Sequence, residues 1–421
     1  MGPSVGADFR GAALTLGPAP AALRGQWAGS DRGRRLTERA RRLHTEPRVL
    51  LDATAIPGER GGVGRYVDNL VQALDASGAA LSVVCQRADA EVFARLAPGS
   101  RVIQTAEELG NRPARLAWEQ TTLPRLARRL PVDVIHSPHY TMPLASSVPC
   151  VVTLHDATFF SDRGLHLGVK GRFFRAWTRT SLRRAAVCVV PSRATGEELE
   201  RFAGARPESL VVAYHGVDLD VFTVPSAAQI QRVRDSLDLG SQSWIAFLGT
   251  LEPRKNVPAL IRAFIRAVGP RAEQPALVLA GAPGWDAAVE PALAAVPSPL
   301  RVLRPGHLPV NDLPGLLGGA ELVAYPSLGE GFGLPVLEAM ACGAAVLTTR
   351  RLSLPEVGGD AVAYTGTGAG DIAAAISELL DNPGRRAELS SAAVQRASGF
   401  TWAASAKAHH AAYVRAAEQA K

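Results

Sequence analysis

The chain lacks the features that would tie it to a membrane span, a secretory route or a disulfide scaffold. No apolar run approaches the roughly 18 residues that cross a bilayer. The first thirty residues also lack the continuous hydrophobic stretch of a secretory signal. A cytoplasmic protein is the expectation. Four cysteines, Cys85, Cys150, Cys188 and Cys342, stand singly in apolar surroundings without metal-type spacing. They imply no disulfide framework and no metal site, and the expectation is four reduced, buried thiols. No repeat of solenoid period occurs. Neither sign of charge dominates strongly: 46 basic and 39 acidic residues give +7. That surplus favours anionic ligands and surfaces, nucleoside diphosphates and acidic lipids alike, without choosing between them. No nucleic-acid partner is expected.

What is present is a chain of 421 residues, too long for one ordinary core and suited to two domains of roughly 100 to 200 residues each. Residues 1–47 carry Gly, Ala and Pro early, then an Arg-rich patch that includes Arg34, Arg35, Arg39 and Arg41. They read as a basic, poorly ordered extension, a solvated tail with peripheral contact to anionic membrane as the alternative. From Arg48 the pattern alternates between short apolar strands and helical spacing. Strands are expected at 49–53, 81–85, 132–136, 151–154, 187–190 and 210–214. Val63, Tyr66, Val67, Leu70, Val71 and Leu74 repeat as the buried face of a first helix. The rhythm lapses over 223–243, a linker, and resumes with strands at 244–248, 277–280, 301–303, 322–324, 345–347 and 361–364. The fold class is therefore α/β: two doubly wound lobes, 48–222 and 244–400, facing each other across a cleft, with 401–421 as a terminal helix.

The densest chemistry lies in Glu330-Gly331-Phe332-Gly333-Leu334-Pro335-Val336-Leu337-Glu338, two carboxylates eight positions apart across a glycine-rich turn into a helix. Pro335 suits a first helical turn, whose free N–H groups and positive dipole end favour phosphate. A carboxylate there would repel phosphate. Glu330 and Glu338 are better explained as acceptors for sugar hydroxyls, Glu330 on a transferred sugar and Glu338 on a ribose. The plainer alternative is one solvent-facing Glu and one that complements the helix dipole.

Gly61, Gly62 and Gly64 open the first helix, where glycine lets backbone approach a diphosphate. A dinucleotide fingerprint is incomplete, because Val67 stands where its third glycine belongs and Cys85-Gln86-Arg87 replaces the ribose-binding acid. An ordinary glycine turn remains the alternative. Arg254 and Lys255 follow the first strand of the second lobe and match a departing diphosphate. His155 ends the strand at 151–154 and faces the cleft. His136 and His139 also lie at a strand exit, toward an acceptor, without a third ligand for metal.

These segments together resemble the nucleotide-sugar-dependent, retaining glycosyltransferases of family 4, whose signature is two Glu bracketing seven residues. The similarity runs from about Arg48 to about Ser398. It also takes in Gly61-Gly62-Val63-Gly64-Arg65-Tyr66, His155-Asp156 and Glu252-Pro253-Arg254-Lys255-Asn256. It implies the GT-B fold, a terminal helix that crosses back to the first lobe, and catalysis without metal or cofactor. His155 and Glu330 would serve the transferred sugar. Gly61, Gly62, Arg254, Lys255, Gly331, Phe332, Gly333, Leu334 and Glu338 would bind the donor. A nucleoside diphosphate hexose, GDP-mannose first, would be the donor, and a glycan or lipid-linked hydroxyl the acceptor. The leaving phosphate oxygen would help take the acceptor proton in a same-face attack. One departure is Thr250, where many relatives carry Arg after the strand glycine; the phosphate then falls more to Arg254. The rival readings are a sugar-nucleotide epimerase, which needs no acceptor, and a silent sugar-nucleotide-binding protein.

Overall fold

The short aliphatic runs form strands because they are buried on both faces, which only a parallel sheet covered by helices provides. The computed structural model describes residues 46–56, 60–105, 109, 111–161 and 168–419. Apart from its last two residues, the extension expected at 1–47 lies outside these. The first sheet contains β1 (Val49–Asp52), β2 (Leu81–Cys85), β3 (Arg101–Gln104), β4 (Val134–Ser137), β5 (Cys150–Thr153), β6 (Val187–Val190) and β7 (Leu210–Val212), in the order β3-β2-β1-β4-β5-β6-β7. The second contains β8 (Trp244–Leu248), β9 (Ala276–Ala280), β10 (Val302–Gly306), β11 (Leu322–Tyr325), β12 (Val346–Thr349) and β13 (Ala363–Thr365), in the order β10-β9-β8-β11-β12-β13. The pairings within both sheets are parallel.

Successive residues of β1 show the two-sided burial directly. Val49 and Leu51 join the core beneath helix Gly62–Ala76, and Leu50 joins the core on the opposite face. In both sheets the strand order reverses direction once, between β1 and β4 and between β8 and β11. The loops leaving the strands diverge there and open a crevice at the C-terminal edge.

Three details depart from the sequence expectations. Strand β3 was not anticipated, because it is a sheet edge whose Arg101 and Gln104 are exposed and whose apolar signal is two residues long. Val63 leaves the buried face of helix Gly62–Ala76, which keeps Tyr66, Val67, Leu70, Val71 and Leu74, and lines the cleft instead. The stretch at 223–243 is not structureless. It holds helix Ala227–Ser236, started by a Ser226–Gln229 capping box, with Val233 in the second-lobe core.

The terminal helix Trp402–Gln419 packs Trp402, Ala406, Ala412, Tyr413 and Ala416 into the first lobe. The chain thus passes between the lobes twice, and the two passages touch. Val217 N–H donates to Phe400 O at 3.0 Å, and a Cβ on Gly216 would collide with the Trp402 backbone. The four cysteines are free and buried. Among the described residues no helix is long and apolar enough to cross a membrane.

Candidate active site

Residues that follow β5, β7, β8, β9 and β11 line one cleft of about 900 Å³ between the lobes. Parallel strands bring these loops to the same edge, so side chains far apart in sequence converge without long connections.

Arg254 and Lys255 leave β8 through a short turn closed by Asn256, which sits in the left-handed region at φ 59°. Both cations turn onto Glu330. Lys255 Nζ donates to Glu330 Oε1 at 2.7 Å and to the Tyr325 hydroxyl. Arg254 Nη1 donates to the Gly329 carbonyl at 2.8 Å and to Glu330 Oε2, and its Nη2 donates to Glu252 Oε1 at 2.5 Å. Glu330 Oε1 also accepts from Ser327 Oγ at 2.6 Å and from the Tyr325 hydroxyl at 3.1 Å. Burial alone would raise the Glu330 carboxyl, but the charges of Arg254 and Lys255 outweigh it and hold it at about 2. Burial, aided by the Arg254 charge, lowers the Lys255 ammonium against the pull of Glu330. Glu330 is therefore ionised. Its Oε1 is filled by three donors, so a sugar hydroxyl would meet the carboxylate at Oε2.

The loop that carries Glu330 is fixed from both lobes. Ser353 Oγ donates to the carbonyls of Glu330 and Phe332, each at 2.8 Å. From the first lobe, Ser192 Oγ and Thr195 Oγ1 donate to Gly331 O at 2.7 and 3.0 Å. Gly331 itself lies against the His155 carbonyl with no room for a Cβ. Gly333, at φ 107°, caps helix Leu334–Ala341 without a side-chain bond and lines the cleft with Leu334 and Pro335; in this first turn Pro335 carries no N–H and Val336 N–H donates to Gly333 O at 3.0 Å. Phe332 and Leu334 complete this wall. Across from them, Gly61 and Gly62 start helix Gly62–Ala76. A Cβ on either would meet nothing within 4 Å, so protein packing does not account for glycine there.

His155 is positioned by a backbone carbonyl from the loop after β4. Its Nε2 lies 2.7 Å from the Pro138 carbonyl, which can only accept, so Nε2 carries the proton. Burial lowers its pKa and the Pro138 bond partly offsets this. The ring is neutral and its Nδ1 is an acceptor. His136 does not face an acceptor as expected. It is wholly buried within β4, with Nε2 2.9 Å from Thr153 Oγ1 and Nδ1 2.9 Å from the Tyr413 hydroxyl of the terminal helix. His139 lies half-buried against Tyr140 and Phe174.

Glu338 occupies the turn behind Leu334 and Pro335 and is 3 % exposed. It is not open to the cleft in this structure: Arg65 Nη1, from the first lobe, is 2.7 Å from its Oε1. Among the wall residues not singled out from sequence are Arg65 and His215. His215 lies between the Phe332 ring at 5.0 Å and the Trp402 ring at 5.8 Å, and its buried Nδ1 has no hydrogen-bond partner. His215 follows the strand expected at 210–214, so the positional signal that found His155 was available for it too. Among the described residues no group of three His, Cys, Asp or Glu is placed to hold a metal ion.

The family model Glycosyltransferase Family 4 matches residues 60–221, and the model Glycosyl transferases group 1 matches residues 230–396. O-antigen chain mannosyltransferase B of Escherichia coli is 30% identical over 64% of this chain and 71% of its own. A D-inositol 3-phosphate glycosyltransferase of Kribbella flavida is 31% identical over 89% of this chain and 95% of its own. Among solved structures, HepE of Anabaena in complex with UDP-glucose superposes with a TM-score of 0.68 at 18% identity, covering 86% of this chain and 98% of that one. Sucrose-phosphate synthase from Thermosynechococcus elongatus superposes with a TM-score of 0.69 at 20% identity, covering 87% and 98%. Two parallel-sheet lobes with one motif-bearing cleft, matched along both halves, make this chain a member of glycosyltransferase family 4 with the GT-B fold.

Proposed function

We propose that the protein transfers a hexose, mannose before others, from a nucleoside diphosphate to an acceptor hydroxyl with retention of configuration and without metal. The observation that carries this reading is the buried meeting of Arg254, Lys255 and Glu330 in the cleft that the N-terminal turn of helix Leu334–Ala341 also lines. Breaking a glycosyl–phosphate bond builds negative charge on the leaving diphosphate. Two cations and a helix N-terminus, held in a water-poor cleft, stabilise that charge most as it develops. Glu330 orients both cations and keeps Oε2 for a hexose hydroxyl, while neutral His155 offers Nδ1 as an acceptor to the same sugar. Mannose is supported by the name of the Escherichia coli relative. A uridine donor is the second reading, supported by the UDP-glucose in the HepE structure. A glycan or lipid-linked alcohol is the acceptor class.

The test is a panel of GDP-, UDP- and ADP-sugars. Thermal shift reads binding, and diphosphate release with and without sugar alcohols reads transfer. GDP-mannose should give the largest shift, with release accelerated by acceptor and an axial product linkage seen by NMR. Sugar interconversion without acceptor would replace this reading with epimerisation. Binding without any turnover would replace it with a silent receptor.

A further inference from the structure

Arg65 and Glu338 meet across the cleft in an unfinished pair. Arg65 Nη1 reaches Glu338 Oε1 at 2.7 Å, yet Arg65 Nε and Glu338 Oε2 are both buried without a hydrogen-bond partner. A finished Arg–carboxylate contact uses two parallel bonds. An unpaired buried carboxylate oxygen is costly, so the side chain has a second partner to gain. Burial accordingly raises the Glu338 carboxyl, and Arg65 only partly counters it. Arg65 belongs to the cleft wall, as do Leu334 and Pro335 in front of Glu338, whereas Glu338 itself is 3 % exposed. Any ligand that reaches this carboxylate from the cleft therefore finds its Oε1 already held by Arg65.

We propose that Arg65 sets the ribose selectivity of the cleft by competing with the ribose diol for Glu338. The inference rests on the nucleoside diphosphate reading above and adds what opposes it. A diol offers two O–H donors to one carboxylate and fills both oxygens, which the single bond from Arg65 does not. Binding exchanges one partner for the other. Because Arg65 stands on the first lobe and Glu338 on the second, the exchange also removes a contact that holds the lobes together. A nucleotide without ribose hydroxyls cannot make the exchange and leaves Arg65 in place.

Calorimetry with GDP and 2′,3′-dideoxy-GDP, or the uridine pair if the wild type prefers uridine, measures the competition in the full chain. Arg65→Ala and Arg65→Gln should each tighten the ribonucleotide by about fivefold or more, as expected when one charge-assisted competitor is lost. The dideoxy compound should be unaffected, so the ratio of the two affinities widens. Melting curves confirm folding, and Arg65→Gln keeps a polar chain of similar length should Arg65→Ala fold poorly. A ratio that narrows would make Arg65 a supporting ribose ligand and overturn the proposal. An unchanged ratio would leave the pair purely structural and overturn it as well. If the wild type binds neither nucleotide, the nucleoside diphosphate reading itself fails, a result distinct from either.

Discussion

Gly331 and His155 touch backbone to backbone across the lobes, one in the loop after β11 and the other two residues past the end of β5. The atoms a Gly331 Cβ would strike are the His155 carbonyl and the Asp156 side chain, all in the first lobe. A methyl group there leaves the second lobe undisturbed and keeps the lobes apart. Gly331→Ala should therefore keep its melting temperature and its affinity for free nucleoside diphosphate. Transfer should fall by about a hundredfold or more, since a displacement near 1 Å is enough to misalign reacting groups. Parallel thermal melts, calorimetry and rate measurements check this, and full activity would remove the closed contact from the reaction.

Lys255 and Arg254 oppose the negative charge of the leaving group in the proposed function. Lys255→Met keeps most of the buried chain but removes the ammonium. Turnover should drop by about a hundredfold, with a smaller loss in diphosphate affinity, because the charge it opposes is largest in the transition state. Single-turnover rates set against calorimetric affinities separate the two.

The acid stability of the protein should depend on Glu330. Its carboxyl is held at about 2 against an ordinary 4.5. A depressed carboxyl contributes stability above its unfolded value and loses it as pH falls through the folded one. The contribution is present above pH 4.5 and is lost between 4.5 and about 2. Glu330→Gln should cost about 3 kcal/mol at neutral pH, as breaking a buried ion pair does. The gap to wild type should shrink as pH drops through that window. Denaturant melts at several pH values read it out, and a gap that stays constant would mean that Glu330 is not coupled to the two cations.

Glu356 ties the lobes at a further place. Its Oε1 accepts from Ala194 N–H at 2.7 Å, and its Oε2 accepts from Arg193 N–H at 3.0 Å and from the Tyr214 hydroxyl at 2.9 Å. A second-lobe carboxylate thus caps the first-lobe helix Arg193–Ala203, where it also complements the helix dipole. Glu356→Ala should enlarge the radius of gyration in small-angle scattering and lower transfer without changing the melting of either lobe by more than about 1 kcal/mol.

Much of the fold could be read in the sequence, because strands such as β1 and β8 are buried on both faces and appear as unbroken apolar runs. The edge strand β3 gave no such run, and no periodicity separates it from a loop. Among site residues, the glycine-rich turn, Arg254, Lys255 and His155 lie at strand exits or a helix start, and those positions follow from local pattern. What could not be read is which of them meet. His136 and His155 look alike in sequence. The first falls within its strand and is locked by Tyr413 from the far end of the chain, and the second falls two residues beyond its strand. The partners of Glu330 and Glu338 likewise depend on how loops from separate strands, and from separate lobes, come together, and no local spacing encodes that.

The touching passages at Val217–Phe400 have a mechanical consequence. Two chain crossings spread along a cleft would let the lobes slide or twist, but crossings joined at one spot act as a single pivot. Displacement then grows with distance from it. In any opening of the cleft the bond from Val217 to Phe400 would stay nearly still while the far walls moved, as the short side of a pair of tongs moves little when its tips part. Stiffening the pivot would slow opening and closing of the cleft together.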